Sequence, residues 1–164
     1  MLTLLLIRHA KSSWSDFSLP DFDRPLNDRG KRDAPVMPRR MKEKGVQIDA
    51  FISSPAKRAL KTASIFAKEY GREKSDIILI QDLYLAMPAV FLMVIEQAAD
   101  EHQTIAVFSH NNGITDFANE LTDARIDEIQ TCGIFAVKVD AASWKDFAGA
   151  RKEFWFYDSP KSGA

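Results

Sequence analysis

Two arginines and two histidines stand at or just after the ends of apolar runs in this sequence. They are Arg8, His9, Arg58 and His110. Guanidinium groups bind phosphate oxygens in a fixed, often bidentate geometry, and imidazoles can donate a ring N–H to an anion. These residue types predict a site for a dianion, for which a phosphoryl group is the natural candidate. A single strand-end arginine or histidine is usually a solvated polar residue, so the prediction requires that all four lie together.

The runs that precede these residues fit a pattern of alternating strands and helices. Short apolar runs predict strands at 3–7, 49–53, 76–80, 104–108, 134–139 and 153–157. Helical spacing predicts helices at 28–44, 55–70, 88–99 and 112–121, the first kinked by Pro35 and Pro38. The alternation predicts an α/β fold with a mainly parallel central sheet, as one domain over residues 1–164. Residues 10–27 are predicted to form a long loop, a kind of segment that often carries function.

The predicted sheet would bring the four side chains to one place. Ligands of open α/β sheets gather at the carboxyl ends of the strands. If the first, second and fourth strands are neighbours, Arg8, His9, Arg58 and His110 meet at one edge. Helices that begin near Ser54 and near residue 111 would add free backbone N–H groups. Ser54 is predicted to cap its helix, with proline in the first turn.

The composition argues against several other classes of function. The chain of 164 residues is 46% hydrophobic and 27% charged with a formal net charge of -1, so it lacks the basic surplus expected for nucleic-acid binding. Cys132 is the only cysteine, and no carboxylate or cysteine stands at ligand spacing from a strand-end histidine, so we expect no metal site. The apolar start ends at Arg8, too early for a signal peptide, and no run is long enough for a membrane span. We therefore expect a cytoplasmic protein that binds no membrane.

Four motifs resemble those of the histidine phosphatase superfamily. They are RHAKSSW at 8–14, DFDRPLNDRGKRDA at 21–34, SSPAKRALKTA at 53–63 and SHNNGI at 109–114. The combination is most similar to the SixA-type phosphohistidine phosphatases, a branch with a three-layer α/β/α, phosphoglycerate mutase-like fold. The resemblance implies a phosphatase that works through a covalent phosphohistidine and needs no metal or cofactor.

The resemblance also implies roles for individual residues. His9 would be the nucleophile, Arg8 and Arg58 would hold the phosphoryl oxygens, and His110 would donate a hydrogen bond to the transferring group. Lys11 and Asn111 would contact the substrate. Lys11 has a simpler interpretation as a solvated loop charge.

The sequence departs from the family where a general acid is common. Many members have a Leu-x-Glu pattern after the third strand, but this chain has Leu85 in place of the glutamate. Asp82 is close, and we interpret it as a strand-end or cap residue. A phosphohistidine substrate needs an acid less than an ester does, because its leaving imidazole is a weak base with a conjugate-acid pKa of about 6.5. Leu85 therefore favours a phosphohistidine carried by a phosphotransfer protein.

Two alternatives stay open. One is a phosphatase of small-molecule phosphomonoesters, which would be favoured if Asp82 pointed into the pocket. The other is a catalytically silent phosphate-binding domain, in which the four pocket residues would not converge. The partner is thus a phosphorylated protein or a small phosphorylated substrate, and we expect a monomer. Trp14, in the loop beside the site, could contact substrate or pack as a lid, whereas Trp155 is predicted to lie in the core.

Overall fold

The computed structural model describes residues 1–162, which build one six-stranded sheet covered by helices on both faces. The strands are β1 (Leu2–Arg8), β2 (Ala50–Ser53), β3 (Ile78–Leu79), β4 (Thr104–Ser109), β5 (Ile134–Asp140) and β6 (Arg151–Asp158). Their order in the sheet is β3-β2-β4-β1-β5-β6, and β5 alone runs against its neighbours. The prediction of a three-layer α/β fold with a mainly parallel sheet is confirmed.

Five α-helices cover the sheet. They are α1 (Asp28–Asp33), α2 (Val36–Glu43), α3 (Lys57–Glu69), α4 (Pro88–Glu96) and α5 (Gly113–Leu121). Short 3₁₀ turns span Asp21–Asp23, Lys74–Asp76, Gln81–Leu83 and Trp144–Gly149. No helix within residues 1–162 has both the length and the apolar character needed to cross a membrane.

The central strand β1 shows why the sheet is covered on both faces. Leu4 and Leu6 belong to a core cluster with side chains of α4 and α5, whereas Leu5 and Ile7 belong to a second cluster with α2 and α3. All four are fully buried. Burying each of these side chains contributes roughly 1.5–3 kcal/mol, so the continuous apolar run holds β1 in the middle of the sheet.

The first predicted helix is divided in two, as its prolines indicated. The Asn27 side chain accepts the Gly30 N–H and caps α1, and the chain breaks before Pro35, which has no N–H to donate. Helix α2 ends at Glu43, with Lys44 as its C-cap and Gly45 just beyond it at a positive φ of 79°.

Three local predictions are wrong. Helix α3 begins at Lys57 with Ala56, not Ser54, at its N-cap; the Ser54 hydroxyl accepts the Ala56 N–H just before the helix and also pairs with His110. Strand β3 has only two residues, since a 3₁₀ turn takes up the start of the predicted run. Trp155 is 38% exposed because β6 is an edge strand, and the fully buried tryptophan is Trp144.

Candidate active site

The four predicted pocket residues lie together at the carboxyl edge of the sheet. Strands β2, β4 and β1 are consecutive neighbours, and Arg8 pairs with Ser109 in the parallel register of β1 and β4. Each strand therefore delivers the residues that follow it to the same edge. The rings of His9 and His110 lie 5.3 Å apart between centroids.

Both ring nitrogens of His9 have a partner, one as donor and one as acceptor. Its Nδ1 lies 2.7 Å from the Ala10 carbonyl oxygen, which can only accept, so Nδ1 carries the proton. Nε2 therefore keeps its lone pair, toward which the Arg58 Nε–H points over 3.3 Å. Burial, partly offset by the hydrogen bond to Ala10, and the positive charges of Arg58 and Arg8 lower the pKa of His9 to about 3. The imidazole is neutral at pH 7, as a nucleophile must be.

His110 has the complementary arrangement. Its Nε2 lies 2.8 Å from the Ser54 hydroxyl oxygen. That oxygen accepts the Ala56 N–H, and within residues 1–162 the hydroxyl proton has no acceptor other than Nε2, so we assign Ser54 as the donor to Nε2. The His110 proton then resides on Nδ1, which is buried and has no hydrogen-bond partner within residues 1–162. Burial, followed by the neighbouring His9 and the charge of Arg58, lowers the pKa of His110 to about 3.

Arg58 is fixed by an aspartate that the sequence analysis did not single out. Its guanidinium donates from Nη1 to the Asp21 backbone oxygen over 2.7 Å and from Nη2 to Asp21 Oδ2 over 3.0 Å. The Tyr84 hydroxyl donates to the same Oδ2 over 2.5 Å. Burial acts to raise the pKa of Asp21, but the hydrogen bonds from Tyr84 and Arg58 outweigh it and lower the pKa to about 2. Asp21 is therefore a carboxylate that orients Arg58.

A third arginine lies beside this network. Arg24 is 7% exposed and donates to Asp21 Oδ1 and to the Ser12 hydroxyl. Its guanidinium carbon lies 3.5 Å from the centre of the Trp14 ring, a cation–π contact. Trp14 is still 63% exposed, so it covers Arg24 with one face and presents the other to solvent. The signal for Asp21 and Arg24 was the DFDRPL stretch at 21–26, which matched the family motif without suggesting a role.

The other predicted site residues, Arg8, Asn111 and Lys11, differ in the contacts that their side chains make. Arg8 donates to Glu128 and to the Ile129 carbonyl oxygen, and the Asn111 amide donates to the same glutamate over 3.1 Å. Glu128 was not predicted from the sequence. Lys11 is exposed, and its ammonium makes no hydrogen bond or ion pair with any residue of 1–162. Its backbone oxygen instead packs against Gly30, where a Cβ would lie 2.1 Å away.

The region that would hold a general acid contains no buried carboxylate. Asp82 is exposed and makes no hydrogen bond within the described part of the chain, and Leu85 is 54% exposed. Tyr84, between them, reaches the pocket, where its ring meets that of His110 edge-on. Over residues 1–162, no group of three or more His, Cys, Asp or Glu side chains is placed to hold a metal ion.

The pocket is arranged to receive an anion. Besides His110 Nδ1, one other buried side-chain polar atom of the described residues lacks a partner, namely Arg8 Nε. A buried donor without an acceptor costs roughly 1–3 kcal/mol, and such a cost is expected where a ligand supplies the acceptor. Arg8 Nε, His110 Nδ1 and the Arg58 guanidinium are N–H donors, and His9 Nε2 is an unprotonated nitrogen that the Arg58 Nε–H approaches over 3.3 Å. A tetrahedral oxyanion beside Nε2 would satisfy them together.

Comparisons of the sequence with known proteins identify a matching family and a relative. A family model described as the histidine phosphatase superfamily (branch 1) matches residues 4–83. An uncharacterised chloroplastic protein of Arabidopsis thaliana is 30% identical over 151 residues, covering 87% of this chain and 69% of that protein.

Two solved structures share the fold. SixA from Agrobacterium tumefaciens superposes with a TM-score of 0.82 at 22% identity, over 97% of this chain and 98% of its own. The protein histidine phosphatase SixA complexed with tungstate also gives a TM-score of 0.82, at 19% identity over 98% of each chain.

Proposed function

This chain belongs to the histidine phosphatase superfamily, and from that premise we propose that it removes phosphoryl groups from phosphohistidine on a phosphotransfer protein. The observation that carries the proposal is the state of His9. Its Nδ1–H is held by the Ala10 carbonyl, its Nε2 carries no proton and accepts a long hydrogen bond from Arg58 Nε–H, and guanidinium groups surround it. This is the arrangement needed to accept a phosphoryl group and pass it to water.

The first step transfers the phosphoryl group to His9. The Nε2 lone pair attacks phosphorus, the Nε2–P bond forms, and the P–N bond of the substrate breaks. The leaving imidazole, protonated beforehand on its other ring nitrogen, takes the electron pair and departs neutral. As Nε2 bonds to phosphorus, the Arg58 Nε–H that pointed at the lone pair becomes available to a phosphoryl oxygen. Arg8 and His110 Nδ1 donate to the remaining oxygens, where charge is spread in a loose transition state.

The second step regenerates the enzyme. Water attacks phosphorus from the side opposite Nε2, and the electron pair of the Nε2–P bond returns to His9. Both protons of the water leave with the phosphate. The neutral form of His9 is the natural leaving group, because its surroundings hold its pKa near 3. Positive charge in both steps comes from arginine side chains, so we expect activity in the presence of a chelator.

The preference for phosphohistidine over esters follows from the acid region. An alkoxide leaving group needs a proton at the moment of bond cleavage, whereas imidazole does not. The exposed positions of Asp82 and Leu85 offer no buried acid there, and the Tyr84 phenol is committed to Asp21 with its pKa raised by burial and by that hydrogen bond. We therefore expect phosphate esters to be turned over more slowly than phosphohistidine.

Trapping the intermediate tests the proposal. The protein is mixed briefly with a ³²P-labelled phosphohistidine peptide and quenched in alkali, and the label is located by peptide mapping. The label should appear on the peptide containing His9, should be absent from His9→Ala, and should persist in the matched control His102→Ala, whose histidine lies outside the site. Faster turnover of a phosphoserine peptide would assign the enzyme to esters, and an unlabelled wild type would leave only a phosphate-binding domain.

A further inference from the structure

A cavity of about 440 Å³ lies between the segment after the first loop and helix α3. Lysine side chains surround it: Lys31 comes from α1, Lys57 and Lys61 from α3, and Lys74 from the 3₁₀ turn after α3. Its floor is apolar and includes Leu26 and Leu60. This cavity, here called the lysine groove, has no part in the chemistry proposed for the pocket.

The charges of the lysine groove are not compensated by the protein. No Asp or Glu lines it, and none of its four lysines forms an ion pair within residues 1–162. All four side chains are exposed. The whole chain carries a formal net charge of -1, so four unpaired ammonium groups around one cavity are a local excess of positive charge. Such an excess attracts a partner surface of the opposite sign.

The lysine groove is adjacent to the pocket along two chain segments. Pro25, which contributes to its wall, follows Arg24, and Lys57 precedes Arg58. A protein whose phosphorylated side chain reaches His9 would therefore lay its neighbouring surface over the groove. On α3, Lys57 and Lys61 are four residues apart and so point from one helical face.

From this geometry, and on the premise that the enzyme acts on a phosphoprotein, we infer that the lysine groove docks an acidic helical surface of the substrate protein. Carboxylates spaced one helical turn apart would meet Lys57 and Lys61, and apolar side chains between them would cover Leu26 and Leu60. Single-stranded nucleic acid fits less well, since its sites combine positive charge with aromatic stacking and the groove is lined by no aromatic residue.

The test uses two 12-residue phosphohistidine peptides that differ only in four glutamates at helical spacing, replaced by glutamines in the second. At low salt the wild type should have a KM about tenfold lower for the acidic peptide, since several weak ion pairs add up. The double variant Lys61→Glu/Lys74→Glu should lose this preference and keep its kcat on phosphoramidate, which is too small to reach the groove. The matched control Lys145→Glu/Arg151→Glu makes the same charge change near the opposite edge of the sheet and should keep the preference.

A binding measurement separates failure of the docking from failure of the proposed function. Fluorescence anisotropy with the unphosphorylated acidic peptide needs no catalysis, and Lys61→Glu/Lys74→Glu should weaken its binding about tenfold. Equal affinity of this variant and wild type would overturn the docking surface, whether or not the protein is a phosphatase. Displacement of the peptide by an equal concentration of a 12-nucleotide oligo(U) would also overturn it, in favour of nucleic acid.

Discussion

The orientation of the Arg58 guanidinium depends on the carboxylate of Asp21. Asp21 binds its guanidinium twice, through a backbone and a side-chain oxygen, and is itself bound by Arg24 and Tyr84. Because Asp21 is partly exposed, the stabilisation that it contributes to the fold is reduced by solvent screening. Its main effect is to decide which N–H groups of Arg58 face His9.

Replacing Asp21 by asparagine should therefore impair turnover more than folding. Asp21→Asn keeps the size of the side chain but removes the charge, so Arg58 loses its fixed orientation at the transferring group. We expect kcat on a phosphohistidine peptide to fall about 10- to 100-fold, the range typical of one misplaced electrostatic contact. The matched control is Asp23→Asn in the same 3₁₀ turn, whose exposed carboxylate makes no hydrogen bond within residues 1–162. A kcat equal to that of wild type would show that Asp21 has no positioning role.

At the scale of the secondary-structure elements, the loop after β1 packs closely against the start of α1, where Gly30 lies. The Gly30 Cα faces the backbone of Lys11, and the Asn27 N–H donates to the Lys11 carbonyl oxygen. The bridge between Ser12 and Leu26 closes the same loop. The loop that carries Asp21, Arg24 and Trp14 is thereby anchored at its base, which holds these residues at the pocket.

Gly30→Ala should destabilise this junction. The added Cβ would lie 2.1 Å from the Lys11 carbonyl oxygen, and neither backbone can move without disturbing the loop. The free energy of unfolding, measured with urea, should fall by about 1–3 kcal/mol, as for other overpacked sites. Gly149→Ala is the control, because its Cβ would meet no atom within 4 Å. Equal losses in the two variants would mean that close packing at Lys11 is not the cause.

At the scale of the whole molecule, the buried histidines make the stability depend on pH. The pKa values of His9 and His110 are lowered from 6.5 to about 3 in the folded protein, mainly by burial. Between pH 6.5 and about pH 3, the two histidines are protonated in the unfolded chain but stay neutral in the native protein. The stabilisation is therefore complete above pH 6.5 and is lost as the pH falls toward 3.

Urea unfolding from pH 7 to pH 5 measures this effect. Each buried histidine contributes a slope of up to about 1.4 kcal/mol per pH unit below pH 6.5. Because asparagine does not titrate, His110→Asn should remove about half of the slope, whatever its effect on the absolute stability. A wild-type protein whose free energy of unfolding stays constant over this range would contradict burial of the neutral imidazoles.

The amino-acid sequence by itself determined the architecture and the first set of pocket residues. Apolar runs alternate with helical periods, so the sheet and its carboxyl edge follow from local hydrophobic patterning. Arg8, His9 and His110 are next to the runs that place them, and Arg58 lies in the first turn of the following helix. Their convergence required only that the strands be neighbours.

Only the tertiary structure decided which groups complete the pocket. Asp21, Tyr84 and Glu128 come from loops and turns, whose paths depend on contacts between segments distant in the sequence, such as Lys11 with Gly30. Ser54 illustrates the same limit, because its place before a proline suggests a helix cap, whereas its hydrogen bond to His110 depends on the packing of β2 beside β4. Trp155 was misplaced for a related reason, since an apolar strand does not reveal whether a helix covers its outer face.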